Sequence, residues 1–204
     1  MALTKQFFFK KSGYNHGLRR LFNEFGSLLS RYDTPPREAA YWYGERALTG
    51  LLAAAAWRLK DGWALEEFCG VRVNRKKIGS GRGDLWVGVG QKCFTVEAKV
   101  IWPGGNSETA VIDAKRKLGL AKRQLSCLHR EYRVGRPLAL CYVVPEFNRN
   151  GRSDRQEEKF VKKLAAGLMD RNIMICSFEY RKSCPRYKGK NYPGVILVAE
   201  QSQW

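Results

Sequence analysis

The sequence predicts an α/β fold with a central mixed β-sheet flanked by helices. Three observations carry this. Segments with a helical stripe of apolar residues alternate with β-rich segments in the order α, α, β-β-β, α, β, α, β, β. Residues 137–145, PLALCYVVP, form a continuous apolar run of the kind found in a central strand buried on both faces. The 204 residues are 44% hydrophobic and 12% aromatic, enough for one sizeable core in one domain, or one domain with an appendage.

Taken in order, residues 17–31 set Leu18, Leu21, Phe22, Phe25, Leu28 and Leu29 on one face of a helix. Residues 32–36 break the chain, with Asp33 or Thr34 placed to cap the next helix. That second, longer helix is expected from about Pro36 to Lys60, with a stripe through Tyr41, Leu48, Leu52, Ala55, Ala56 and Leu59. This divides the chain into an N-terminal helical extension, 1–35, and a main domain, 36–204. Glu45 falls on the apolar stripe of the second helix. A local conflict of that kind marks a functional or strained site, unless Glu45 merely pairs with Arg46 or Arg58 at the stripe's edge.

Ala64 to Val73 reads as a strand, and Gly79 to Gly83 as a flexible approach. Asp84 to Val89 and Lys92 to Ile101 read as a hairpin around Gly90-Gln91, where Gly at the first central position suits a type II′ turn. A glycine-rich loop, 103–106, leads to a helix over 107–132 with the stripe Val111, Ala114, Leu118, Ala121, Leu125 and Leu128. A polar loop over 146–154 precedes a helix over 155–170. Strands over 172–180 and 194–199 close the chain, separated by a basic stretch, 181–190, with tyrosines interleaved.

Charge narrows the function. Lys and Arg number 37 against 19 Asp and Glu, a formal net charge of +18, so the expected partner is an anion and nucleic acid comes first. No apolar run approaches the roughly 20 residues of a membrane helix. Lys10 and Lys11 interrupt the short Phe7-Phe8-Phe9 run where a signal peptide would continue. The six cysteines show no CxxC pair, which argues against a structural zinc knuckle and for reduced thiols in the cytoplasm. Two histidines leave little room for a histidine-built hydrolase.

The hairpin concentrates the chemistry. With Gly90-Gln91 at its tip, Leu85 faces Val96, Val87 faces Phe94 and Val89 faces Lys92, an apolar face for the core. The other face sets Gly88 against Cys93, Trp86 against Thr95 and Asp84 against Glu97, with Lys99 on the same side. Directly opposed residues hold their Cβ atoms roughly 4.5–5.5 Å apart, so the two carboxylates repel unless a cation lies between them. A divalent metal suits that place, since Mg²⁺ takes one or two carboxylates and keeps several waters.

Asp84 followed by Glu97-Ala98-Lys99 on the next strand resembles the PD-(D/E)xK motif of the restriction-endonuclease-like nucleases. The resemblance covers roughly Arg37 to Pro145 and includes the order of elements. It departs at Gly83, where the motif carries Pro. It implies a restriction-endonuclease-like core and a metal-dependent nuclease. Asp84 and Glu97 would bind Mg²⁺, which Mn²⁺ would replace, with the Ala98 carbonyl as a further ligand. Lys99 would orient the attacking water and stabilise charge on the phosphate. Glu45 matches the acid that such nucleases carry on the first core helix, with Glu38 as its competitor and Glu66 and Glu67 as lesser alternatives. The following helix would add a polar group near the phosphate: Gln124, or equally Lys115, Lys117 or Lys122.

Arg82, Lys115, Lys122, Gln124, Arg181, Lys182, Arg186 and Lys188 are the expected contacts to nucleic acid, through phosphates and stacking tyrosines. The reading is an endonuclease acting on DNA ahead of RNA, with no membrane partner. The alternative is a non-catalytic nucleic-acid-binding module, or a subunit of a larger nucleoprotein complex, that keeps the fold. A homodimer or a partner subunit docking on the first helix fits either.

Overall fold

A computed structural model of the protein describes residues 3–9, 15–33, 40–74, 77–148, 154–169, 172–180, 186–187 and 189–204. The strands are β1 (Leu3–Phe9), β2 (Gly62–Asn74), β3 (Lys77–Val89), β4 (Lys92–Ile101), β5 (Arg136–Val143), β6 (Phe147–Asn148), β7 (Ile173–Tyr180), β8 (Arg186–Tyr187), β9 (Lys190–Asn191) and β10 (Gly194–Gln201). The helices are α1 (His16–Leu29), α2 (Gly44–Trp57), α3 (Ser107–Ser126) and α4 (Asp154–Leu168).

Seven strands form the main sheet in the order β1-β7-β10-β5-β4-β3-β2, and β6, β9 and β8 form a small second one. In the main sheet β4 and β5 run parallel while the other pairs are antiparallel. The sheet is therefore mixed, with helices on both faces. β5 sits centrally, as its apolar run requires: Leu138, Leu140 and Tyr142 pack toward α1 and α2, and Ala139, Cys141 and Val143 toward α3 and α4.

The helical stripes fall where periodicity puts them. α1 buries Leu18, Leu21, Phe22, Phe25 and Leu29, and its free amide at Leu18 is satisfied by the Asn15 side chain at 3.2 Å. α3 buries Ala114, Leu118, Ala121 and Leu125, and ends at Ser126, earlier than expected; Leu128 is still buried beyond it. α2 differs more. It starts at Gly44, whose φ of 85° turns the chain out of the 3₁₀ turn at Ala40–Tyr43. Asp33 lies in a 3₁₀ turn of its own and the Thr34 cap is outside the described residues; no side chain caps α2.

Three further expectations are corrected. The N-terminal segment is not wholly helical, because residues 3–9 pair with β7 along the sheet edge. Phe7 and Phe9 pack on one core and Phe8 on the other, so the Phe run is a strand covered on both sides. Residues 147–148, expected as loop, pair with β9. The glycine-rich segment 79–83 is part of β3 and pairs with β2 through Gly70↔Gly81 and Phe68↔Gly83.

That last difference has a steric cause. Gly79, Gly81 and Gly83 alternate along the strand, so they strip side chains from one face of it. A Cβ at Gly83 would lie 2.0 Å from the Phe68 ring, which stacks on Trp86 with centroids 3.9 Å apart. Gly83→Ala is expected to cost about 1–3 kcal/mol by overpacking, read as a lowered urea midpoint with an unchanged m-value. An unaltered midpoint would show that the ring moves aside freely.

Candidate active site

The hairpin register is the one the sequence dictates: Leu85↔Val96, Trp86↔Thr95, Val87↔Phe94, Gly88↔Cys93 and Val89↔Lys92. Of the two turn residues only Gly90 has positive φ, at 61°, as a type II′ turn requires. Leu85, Val87, Phe94 and Val96 are fully buried on the α1–α2 side.

Beyond Leu85↔Val96 the ladder stops. β3 continues its pairing with β2, and β4 continues with β5, so the sheet forks at Asp84 and Glu97. On the outer side of the fork Glu67, opposite Asp84, takes a φ of 50°, a left-handed value costly for a residue other than glycine. Asp84 turns its carboxylate toward β4, where Oδ2 accepts the Ala98 N–H at 2.8 Å. The side chain thus replaces the missing ladder bond and holds the fork's mouth.

Lys99 fills the space between the carboxylates. Its Nζ lies 3.8 Å from Asp84 Oδ2, 3.9 Å from Glu97 Oε2 and 3.4 Å from Glu45 Oε1, and donates to the Ala98 carbonyl. The cation demanded between two facing acids is supplied by the chain itself. Glu45 reaches the cluster from α2, on the far face of the sheet, where the strands part. The two cations that the sequence offered as partners for Glu45 are engaged elsewhere: Arg46 with Glu67 and Arg58 with Glu24.

A second cation, outside the hairpin and its motif, completes the cluster. Arg72, on β2, donates from Nη2 to Glu97 Oε1 and to the Arg82 carbonyl, and from Nη1 to the Gln124 carbonyl at 3.1 Å. Its side chain crosses β3 over Gly81, where a Cβ would lie 2.7 Å from the Arg72 side chain. Alternating glycines beside an Arg-bearing strand were the available signal, masked because glycine reads first as a loop former.

Electrostatically the cluster sets Asp84, Glu97 and Glu45 against Lys99 and Arg72, a formal excess of one negative charge when every carboxylate is ionised. Glu97, only 1% exposed, is pushed up to about 7, by burial first and by the Asp84 charge next, against the pull of Arg72 and Lys99. Glu45 is raised mainly by burial, with Lys99 opposing. Between the ordinary 4.5 of an unfolded glutamate and about 7, the folded protein keeps a proton on Glu97 that the unfolded chain gives up. Stability from this group is therefore present at the acid end and lost as pH rises through 7. The Tm measured in EDTA is expected to fall between about pH 5 and 8 on this account, and Glu97→Gln to flatten the fall. An identical slope in the variant would remove Glu97 as its source.

The remaining expected residues divide. Lys117 lies close enough for its charge to pull Glu45 down, whereas Lys115 is exposed on the same helix. Gln124 stands beside Arg72, and its Oε1 is buried with no hydrogen-bond partner among the described residues. Lys122 is tied to Glu200 at 2.7 Å instead of facing the fork. Arg82 pairs with Glu67 at 3.4 Å, which leaves Glu67 outside the cluster. Glu66 is exposed and lies against Gly50 of α2. Arg186 lies in β8, and Glu38, Arg181, Lys182 and Lys188 fall outside the described residues.

The donor set suits a hard cation: Asp84, Glu97 and the Ala98 carbonyl offer oxygen only, in a cluster with surplus negative charge. Among the described residues no three His, Cys, Asp or Glu side chains already stand close enough to hold a metal ion. A metal would be held by the two strand carboxylates and the carbonyl, with waters completing its shell.

The fold and site define an α/β protein with a large mixed sheet that forks around a half-buried carboxylate–lysine cluster. No helix among the described residues is long and apolar enough to cross a membrane. In comparisons with known proteins, no family model, no curated protein and no solved structure matches the chain.

Proposed function

We propose that the chain is a metal-dependent nuclease with a restriction-endonuclease-like core, hydrolysing phosphodiester bonds of DNA ahead of RNA. The observation that carries this reading is the fork: Asp84 and Glu97 face one another across strands that have stopped pairing, with Lys99 within 4 Å of both. A structural ion pair needs no such break in a ladder. The net charge of +18 supplies the attraction for a polyanion.

Each residue has a role its contacts support. Asp84, Glu97 and the Ala98 carbonyl would hold Mg²⁺ or Mn²⁺. Such an ion, when bound, lowers the pKa of water and acts as Lewis acid on the phosphate. Lys99 presents an ammonium, oriented by Glu45, that stabilises charge developing on the phosphate oxygens. Arg72 fixes the Glu97 rotamer through the ion pair and its two backbone contacts. Lys117 adds positive potential at the same mouth. No nucleophilic side chain is needed.

A second reading has its own observation. Lys99 and Arg72 already neutralise most of the cluster, so a binding module that retains the fold has no need of a metal. One experiment separates the two: plasmid, linear duplex, single-stranded DNA and RNA are incubated with Mg²⁺, Mn²⁺ or EDTA. The nuclease reading expects cutting with metal and none in EDTA. Salt-dependent binding without cutting under any metal would select the module.

A further inference from the structure

β4 and β5 are the parallel pair of the sheet, so their carboxyl ends emerge together. The crevice outside such ends is where open α/β sheets bind ligands. Here the loops leaving the two strands, 102–106 and 144–146, meet α4 and Lys190 around a cavity of about 570 Å³, within the range of ligand pockets. Phe147, edge-on to Phe160 with centroids 5.9 Å apart, forms its apolar wall, and Gly105 lets the first loop lie against that ring.

The opposite wall is cationic. Lys159 and Lys163 lie one helical turn apart on α4 and so point the same way into the cavity. Neither forms an ion pair among the described residues. Glu146, the acid in the lining, is already bonded to Lys190 and to the Tyr192 hydroxyl, at 3.2 Å for the latter. Among the described residues, then, no carboxylate answers these two ammonium groups.

Its distance from the fork is short. Gly104 follows Lys99 by five positions, at most about 18 Å of extended chain. At 3.4 Å per nucleotide that is within about five steps along one strand.

We propose that this cavity is a phosphate-binding site, separate from the fork, that seats the backbone of the nucleic-acid strand whose scissile bond lies at Lys99. The identity of the occupant rests on the nuclease reading; the cavity's affinity for phosphate does not. It would fix the strand's path and set a minimum length of substrate on one side of the cut.

The test is binding of fluorescently labelled single-stranded and duplex oligonucleotides in EDTA, over a series of salt concentrations, by wild type, Lys159→Ala/Lys163→Ala and Lys162→Ala. Lys162 does not line the cavity and pairs with Glu158 at 2.6 Å, so it reports general surface charge. The double variant is expected to lose about tenfold or more in affinity and to flatten the salt slope by about two, with Lys162→Ala within twofold of wild type. No loss in the double variant, or an equal loss in Lys162→Ala, would overturn the proposal. A mononucleotide that binds in place of any oligonucleotide would also overturn it, since the site would then serve a free nucleotide. Loss of binding in the double variant, in a protein that cuts nothing with Mg²⁺ or Mn²⁺, would uphold the cavity and sink the nuclease reading alone.

Discussion

Asp84→Asn is expected to lower metal-dependent cleavage by at least about 10²- to 10³-fold, the usual size of removing one group that stabilises the transition state. The fold should survive. Asn keeps an oxygen to accept the Ala98 N–H, and the side chain is 27% exposed, so no buried cation is orphaned by the change. The substitution should also relax Glu97 toward its ordinary range, because Asp84 is the second cause of its elevation. The measurements are cleavage rate with Mg²⁺ and Mn²⁺, and circular dichroism through a thermal melt. A folded variant that cuts within a few-fold of wild type would remove Asp84 from the metal site. Glu97→Ala is a poorer probe, since it would leave Arg72 without its carboxylate and blur lost chemistry with lost stability.

Arg72→Ala should produce the largest loss of stability, about 1.5–3 kcal/mol at neutral pH, the size of lost hydrogen bonds to a charged group, because Glu97 limits the loss by keeping its proton. For a chain of this size that is a Tm drop on the order of 5 °C. Glu97 would remain buried with only Lys99, at 3.9 Å, to answer its charge. Arg72→Lys should recover little, because one ammonium cannot serve Glu97 and the carbonyls of Arg82 and Gln124 as the guanidinium fork does. Arg72→Ala/Glu97→Gln should regain a substantial part of the loss, since the charge that needed answering is gone. Denaturant melts of the two singles and the double give the coupling directly. Additive losses would mean that Arg72 acts by packing and not through Glu97.

Much of the architecture was legible because local pattern and tertiary burial agree. The α1 stripe, the hairpin register and the continuous apolar β5 each follow from a period or a turn residue that survives unchanged into the fold. Failures cluster where a neighbouring strand overrides local preference. Gly79, Gly81 and Gly83 read as a loop, yet their missing side chains let Phe68 and Arg72 lie across β3. Phe7-Phe8-Phe9 lacks alternation because the edge strand β1 meets an apolar core on each face. Nothing local places Leu3–Phe9 beside β7, since that contact joins segments far apart in the chain.

Local pattern was enough for the α/β class, for the pairing that brings Asp84 toward Glu97, and for the conflict that marks Glu45. Spacing along a strand or helix encodes each of these, because side-chain direction repeats with a fixed period. Packing alone settled that the ladder breaks at those carboxylates, that Lys99 stands among three of them, and that Arg72 answers Glu97. Those outcomes depend on distances between elements far apart in the chain. They are set by which charges share a low-dielectric space once β2, β3, β4 and α2 have come together, and no local pattern carries that information.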